Sequence, residues 1–494
     1  MAACLALLSA AAVFFFASRG WLLYYGDAEA HLNIARRVVD SQTPGYDQLG
    51  TVWLPLPHVL MLPFVRRDAW WRSGLAGAIP SALCFVAAGS FLFAAVRSLF
   101  SSHAAAVAAT ALLALNPNQL YLQSIPMTEP VFLACLTALL YFTVRFRETQ
   151  SRVWLVLAGL AACAGTLTRY EGWFVLPFVA LWLLATAKRG IEMALVFSAI
   201  ALAGPLYCLA NHWYLTGDAL DFIRGPYSAR AIQGSTYYPG KGDWGLAWLY
   251  YRTSAALCAG PGLALVGTAG ALAALARRAF WPIVLLALPG VFYICSIHSA
   301  ATPIFVPAMW PYSYYNIRYG LAVLPLLAVG GAGLVALAPR WRPLVALLVV
   351  VAGSMHWFLH SQPSNWITWE ESRVNSEARR GWTGGAAAYL APRYRLGAGI
   401  LTSFGDLTGV YRAAGIPLRA TFTGDNGLPW LAAIRRPELF AWQEWAVAKA
   451  GDAVDAALAP EHCGGLFRLE KSIEVKGAPA IHIYRRAGGM HGTS

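Results

Sequence analysis

Apolar runs long enough to cross a bilayer recur along most of this chain, and nothing else in it restricts the fold so strongly. A helix needs about 20 predominantly apolar residues to span the hydrocarbon core, and by that rule about eleven such runs precede residue 360. They cover residues 2–25, 75–100, 103–120, 129–146, 153–168, 173–187, 193–213, 255–276, 281–299, 319–337 and 343–359. A soluble domain carries about 25% charged residues, whereas this chain has 12% charged and 58% hydrophobic residues. Its 20 Trp and 22 Tyr suit two bilayer–water interfaces, where amphipathic rings settle. The first run has no basic segment ahead of it and is long for a cleaved signal peptide, so it reads as a first helix that stays.

The net charge of +13 does not point to nucleic acid, because much of the excess lies in short loops between apolar runs. Arg97, then Arg145, Arg147 and Arg152, then Lys188 and Arg189, then Arg277 and Arg278, then Arg340 and Arg342 fall on alternate loops. Lys and Arg collect on the cytoplasmic side of membrane proteins. An odd number of spans then puts the C-terminal region outside. An alanine-rich chain with an outer-facing domain suits a plasma membrane of the bacterial inner-membrane type, which is the expected location. The eight cysteines are scattered with no CxxC, which predicts neither a disulfide framework nor a zinc site. They are expected as small buried hydrophobes.

The expected fold class is an α-helical polytopic membrane protein with a small extracytoplasmic C-terminal α/β domain. The domains are 1–359, carrying an outer loop 26–74 with interfacial helices, and 360–494. Within that loop, Ala28–Asp40 is amphipathic, with Leu32, Ala35 and Val39 on one stripe and Arg36, Arg37 and Asp40 off it. The stretch Val52–Pro63 is apolar but too short and too proline-broken to span. Beyond residue 359, Ile400–Phe404 and Ile481–Tyr484 read as strands, and Trp430–Ile434 and Ala453–Leu458 as helices.

Polar groups gather in the outer loops. Gly26-Asp27-Ala28-Glu29-Ala30-His31 places two carboxylates and an imidazole where the first span ends. Asp27 can accept a proton from an attacking hydroxyl, or simply cap the following helix. On a helix Asp27 and Glu29 point apart; in a turn they converge with His31 on one ion. Glu129 opens a span after Pro126-Met127-Thr128 and is either a second acid or a dipole-favoured carboxylate. Thr168-Arg169-Tyr170-Glu171-Gly172-Trp173 joins two spans. Arg169 suits a phosphate there, or a pair with Glu171. The loop 217–252 carries Arg224, Arg230, Lys241 and Arg252 among Tyr227, Tyr237, Tyr238 and Trp244, with Gly234 and Pro239-Gly240 for flexibility. Cations among aromatics suit a phosphate and a sugar ring. Asn316-Ile317-Arg318-Tyr319 opens another span, with Arg318 as phosphate ligand or snorkelling side chain. His58 and His298 are lone histidines with structural roles or a place on the same cavity.

This arrangement resembles the GT-C fold of polyprenyl-phosphate-sugar-dependent glycosyltransferases. It is most similar to the superfamily of dolichyl-phosphate-mannose protein mannosyltransferases and aminoarabinose transferases. The residues that carry the likeness are Asp27-Ala28-Glu29, Glu129 after Pro126-Met127-Thr128, Thr168 to Trp173, and Asn316 to Tyr319. Many members have adjacent acids in the first loop; here Ala28 separates them. The resemblance implies a donor sugar joined through phosphate to a long isoprenoid in the bilayer. It implies that Asp27 is the general base, that Glu29 and Glu129 assist, and that Arg169, Arg318, Lys241 and Arg224 hold the leaving phosphate. His31, His58, Tyr170, Glu171 and Tyr319 would line the site. The donor phosphoester supplies the energy, so no cofactor is required, although a divalent metal cation is compatible with the fold. The acceptor is a hydroxyl of a protein, a glycolipid or a glycan. A transporter or flippase of a lipid-linked sugar is the alternative, sharing the spans and the basic cavity.

Overall fold

The computed structural model describes residues 1–226, 228–233, 236–276, 279–299, 302–403, 405 and 407–487. Tyr227, Gly234, Arg277, Arg278 and Phe404, named above, lie outside the described residues, as does the side chain of Arg230. The chain forms two compact units: Met1–Gly20, Gly50–Pro57 and Ala78–Glu371 make the first, and Trp21–Leu49, His58–Gly77 and Ser372–Ser494 the second.

The first unit is helical. Among the described residues six helices are long and apolar enough to cross a membrane: Leu75–Phe100, Glu129–Thr149, Gly190–Thr216, Phe280–His298, Ile317–Leu337 and Arg342–Leu359. Ala2–Ser18, His103–Ala114, Arg152–Thr166 and Tyr170–Thr186 are shorter apolar helices. Large apolar side chains stand open on their surfaces, with Phe14 75% and Leu195 66% exposed. In water such a surface drives association; in lipid it is solvated.

Two expected spans are corrected. The run 103–120 breaks at Asn116-Pro117. A residue before proline is pushed out of the helical region, and Asn116, at φ −74° and ψ 118°, caps a new helix Pro117–Gln123 by accepting the N–H groups of Asn118 and Gln119. The run 255–276 is also two helices, Trp244–Ala259 and Pro261–Leu275, bent by 110°. Gly260 takes φ +80° at the corner and Pro261 begins the second helix without an N–H to satisfy. The first of the pair starts eleven residues early because Asp243 caps it by accepting the Leu246 N–H. The cysteines form no disulfide, but Cys208, Cys258 and Cys463 alone are buried, and Cys4 is exposed on the first helix, where an apolar side chain needs no protein cover.

The second unit holds a five-stranded mixed sheet in the order β2-β1-β3-β5-β4. The strands are β1 (Ile400–Thr402), β2 (Thr421–Phe422), β3 (Trp445–Lys449), β4 (Phe467–Ile473) and β5 (Ile481–Arg486). β1 runs parallel to β2 and β3, and β5 runs antiparallel to β3 and β4. Alternation sends Ile400, Trp445, Val447, Ile481 and Ile483 to one face, and Leu401, Ala446, Ala448 and Tyr484 to the other. The second face is covered by Ala433 of the Leu428–Arg435 helix and Val454 of the Ala453–Ala457 helix. The first face packs on Leu32, Ala35, Met61 and Trp71, so the loop helix Gly26–Arg37 belongs to the core of this unit.

The expected polar side of that helix is corrected as well. Arg36, Arg37 and Asp40 are all buried. Their burial is sustained by pairing: Arg36 meets Asp40 at 2.8 Å and Asp68 at 2.9 Å, Arg37 pairs with Asp425, and Asp40 also takes Arg419 at 3.2 Å. Without such partners the desolvation cost of each charge would be several kcal/mol.

Candidate active site

In the first unit, four segments bring five charged side chains together. Arg169 precedes the Tyr170–Thr186 helix, after a tight turn from Arg152–Thr166. That turn depends on Gly172, where a Cβ would lie 2.6 Å from the backbone of Gly165. Arg318 sits in the short helix Ile317–Val323, entered through Asn316 at φ +56°. The Ile317 carbonyl is held by the Ser254 hydroxyl at 2.7 Å, and Gly320 passes so near Ser254 that a Cβ would meet its backbone at 2.5 Å. Glu371 is set by the start of the Ile367–Leu390 helix, where the Thr368 N–H donates to the Asn118 side chain at 3.0 Å.

Glu129 is the hub. One of its oxygens takes Arg169 at 3.1 Å and Arg318 at 3.1 Å. Arg169 also donates to Glu171 at 2.7 Å, to the Tyr293 hydroxyl at 2.6 Å and to the Thr128 hydroxyl at 2.5 Å. The Tyr293 hydroxyl in turn donates to Glu171. Arg318 lies 3.9 Å from Glu371, which also accepts its backbone N–H at 3.4 Å. The Tyr319 ring lies beside both guanidiniums, at 5.0 Å from Arg169 and 4.9 Å from Arg318, and stacks on Tyr293 at 4.6 Å. Two guanidiniums thus serve three carboxylates, so the cluster has a formal charge of −1 with all groups ionised. Arginines held this firmly keep their orientation when a further anion arrives.

Tyr170 stacks on Phe222 at 5.0 Å, and its buried hydroxyl has no hydrogen-bond partner among the described residues. Arg224 is exposed at the end of the one-turn helix Asp221–Arg224. Lys241 donates to the Thr236 carbonyl of its own loop at 3.3 Å. His298 stacks on Trp244 at 3.8 Å. Arg169, Glu171, Arg318, Tyr319 and Glu129 therefore form one site, while Arg224, Lys241 and His298 have other surroundings.

In the second unit, Asp27, Glu29 and His31 share the helix Gly26–Arg37. Tyr25 is its N-cap, so Asp27 lies inside the first turn and does not cap it. The helix turns Asp27 and Glu29 to different sides, while Asp27 and His31, four residues apart, share one. Glu29 is buried between Arg379 and Arg412, at 2.5 Å and 2.9 Å. Asp27 is only half-buried, in the first turn of the helix. His31 and His58 are both buried, with Nδ1 of one 2.9 Å from Nε2 of the other. Among the described residues no group of three or more His, Cys, Asp or Glu side chains is disposed to hold a metal ion.

Sequence reasoning missed Tyr293, Glu371, Arg379 and Arg412. Tyr293 is one aromatic among many in an apolar run. The partners of Glu29 stand 350 and 383 residues away, beyond the reach of any local pattern.

The sequence profile of the family described as dolichyl-phosphate-mannose-protein mannosyltransferase matches residues 72–214. ArnT from Cupriavidus metallidurans, solved bound to undecaprenyl phosphate, is similar in structure with a TM-score of 0.58 at 12% identity, over 95% of this chain and 97% of that one. Its apo state gives 0.53 at 14% identity over the same shares. The apo Archaeoglobus fulgidus oligosaccharyltransferase gives 0.52 at 12% identity, over 91% of this chain and 69% of that one. No curated protein sequence matches. The chain shares the fold of these proteins along nearly its whole length, and it is a polytopic helical protein with the GT-C fold that the resemblance implied.

Proposed function

We propose that this protein is a membrane glycosyltransferase that moves a sugar from a polyprenyl-phosphate donor to an acceptor hydroxyl at the outer membrane face. The observation that carries the proposal is the fold, shared over 95% of the chain with a protein solved holding undecaprenyl phosphate. The family profile over residues 72–214 supports it independently.

Asp27 is the general base. A proton acceptor must reach solvent or substrate, and Asp27 is the half-exposed acid of the first loop. Glu29, clasped by two guanidiniums, fixes the helix that carries Asp27. Asp27 takes the acceptor's hydroxyl proton as that oxygen attacks the anomeric carbon, and the carbon–oxygen bond to the donor phosphate breaks. Displacement in line inverts the anomeric centre. The leaving group is the polyprenyl phosphate, and Arg169 and Arg318 meet the negative charge that builds on it. Glu129, Glu171 and Tyr319 hold those two guanidiniums in place. The sugar is a hexose or a pentose.

The bend of 110° between Trp244–Ala259 and Pro261–Leu275 favours a second reading, since broken helices are common in transporters of lipid-linked or small solutes. The two readings separate in one assay. A transferase releases polyprenyl phosphate from a polyprenyl-phosphate sugar, whereas a flippase moves the intact lipid between leaflets of a vesicle and releases none.

A further inference from the structure

Ends of several helices of the first unit line an open cavity of about 490 Å³, within the ~300–1,000 Å³ typical of ligand sites. Its wall includes Ser98 and Ser101 at the end of Leu75–Phe100, Arg147 and Glu148 near the end of Glu129–Thr149, Trp281 at the start of Phe280–His298, and Arg342 at the start of Arg342–Leu359. Arg147 stands about five turns along its helix from Glu129, about 27 Å at 1.5 Å per residue. That is close to the ~30 Å of a bilayer's hydrocarbon core. The cavity and the carboxylate cluster therefore mark opposite faces of the membrane.

The cavity is built for an anion. Among the described residues two guanidiniums line it against one carboxylate, and that carboxylate, Glu148, is already engaged by Arg145 and by the Ser98 hydroxyl at 2.7 Å. Among the described residues neither Arg147 nor Arg342 has an ion pair, and the buried Nε of Arg342 has no hydrogen-bond partner at all. A buried donor left unsatisfied is costly and rare. Two long helices also begin at this wall, after Ala279 and after Trp341, and neither has a side-chain cap. Their dipoles favour negative charge at that end. The Trp281 ring, stacked on Trp182 at 4.5 Å with its indole N–H on Thr143 at 3.0 Å, gives the wall a rigid flat side.

We infer that this cavity binds a phosphate group, carried by an anionic lipid headgroup of the leaflet opposite the carboxylate cluster. Guanidinium forks match phosphate oxygens, and at this depth phosphate is presented by headgroups, to which basic residues at a membrane face are drawn. The site does not depend on the proposed transfer reaction.

The test uses the full-length protein in neutral detergent and counts bound phosphatidylglycerol and phosphatidylcholine by native mass spectrometry, with inorganic phosphate as competitor. The wild type should retain phosphatidylglycerol at least fivefold better than the R147Q/R342Q double variant, with no such difference for phosphatidylcholine. E148Q removes the carboxylate alone and should raise phosphatidylglycerol retention, a gain that misfolding cannot produce. Equal retention by wild type and double variant, or no gain in E148Q, overturns the site. Full displacement by millimolar inorganic phosphate supports the phosphate chemistry and overturns the lipid as its source.

Discussion

Glu129 and Arg318 meet at 3.1 Å although 189 residues of chain separate them. The same Glu129 oxygen also takes Arg169, so one carboxylate joins two guanidiniums carried by the short helix Ile317–Val323 and by the turn before Tyr170. Glu129 is 14% exposed and Arg318 5%. Removing one partner of a buried pair costs about 3–5 kcal/mol. The Glu129→Gln variant retains an acceptor, which places it at the lower end. Its thermal unfolding in detergent should fall well below that of wild type, with a loss of about 3 kcal/mol.

Glu29 makes the corresponding prediction in the second unit. With Arg379 and Arg412 both on its carboxylate, Glu29→Gln leaves two guanidiniums facing an amide. A clear drop in thermal stability is expected. Arg152→Gln serves as the control: its pair with Glu192 is exposed and worth little, so the melting temperature should stay where it is.

Gly320→Ala tests whether close packing sets Arg318. The added Cβ meets the Ser254 backbone at 2.5 Å, which has no room to give. Overpacking of this kind costs about 1–3 kcal/mol, and it should displace Arg318 and reduce turnover along with stability. Gly384→Ala, in the Ile367–Leu390 helix, meets nothing within 4 Å. That change should leave the protein as stable as before or more so, since Ala outranks Gly inside a helix. Equal losses in the two variants would detach Arg318 from the packing at Gly320.

The spans are legible because lipid imposes a rule of length and polarity that a single sequence obeys: the apolar run 75–100 coincides with the helix Leu75–Phe100, and Glu129 stands at a helix start. The breaks carry a local signal of their own. Asn116-Pro117 and Gly260-Pro261 are strong punctuation, and the surrounding apolar residues outweighed them in a hydropathy reading. In the site, the Arg169–Glu171 pair was legible because two residues separate its members. The links from Glu129 to Arg318 and from Glu29 to Arg379 were not, because tertiary packing alone creates them. The burial of Arg36, Arg37 and Asp40 escaped for the same reason: a charged helix side reads as solvated until its partners are known.

The sheet unit carries a pH dependence of its own. Burial pushes the Asp455 carboxyl up, but the Gly451 N–H, the Tyr484 hydroxyl and the His482 ring outweigh it and hold Asp455 below the usual carboxylate range. A carboxyl depressed by folding stabilises the native state above its unfolded pKa, about 3.9, and loses that contribution as pH falls through the folded value. Melting temperature should therefore decline on acidification below about pH 4, and Asp455→Asn should flatten that part of the profile while lowering stability at neutral pH.

Sugar transfer with Asp27→Asn beside wild type tests the central claim most directly. Each purified protein in detergent is given a panel of polyprenyl-phosphate sugars with candidate acceptors, and released polyprenyl phosphate is measured. General-base catalysis is worth about 10²–10⁴-fold, so release by wild type should drop at least a hundredfold in Asp27→Asn, with melting temperature unchanged. Equal release by the two proteins would contradict the assignment of Asp27 as the base, and movement of the intact donor across vesicles without any release would contradict the transferase itself.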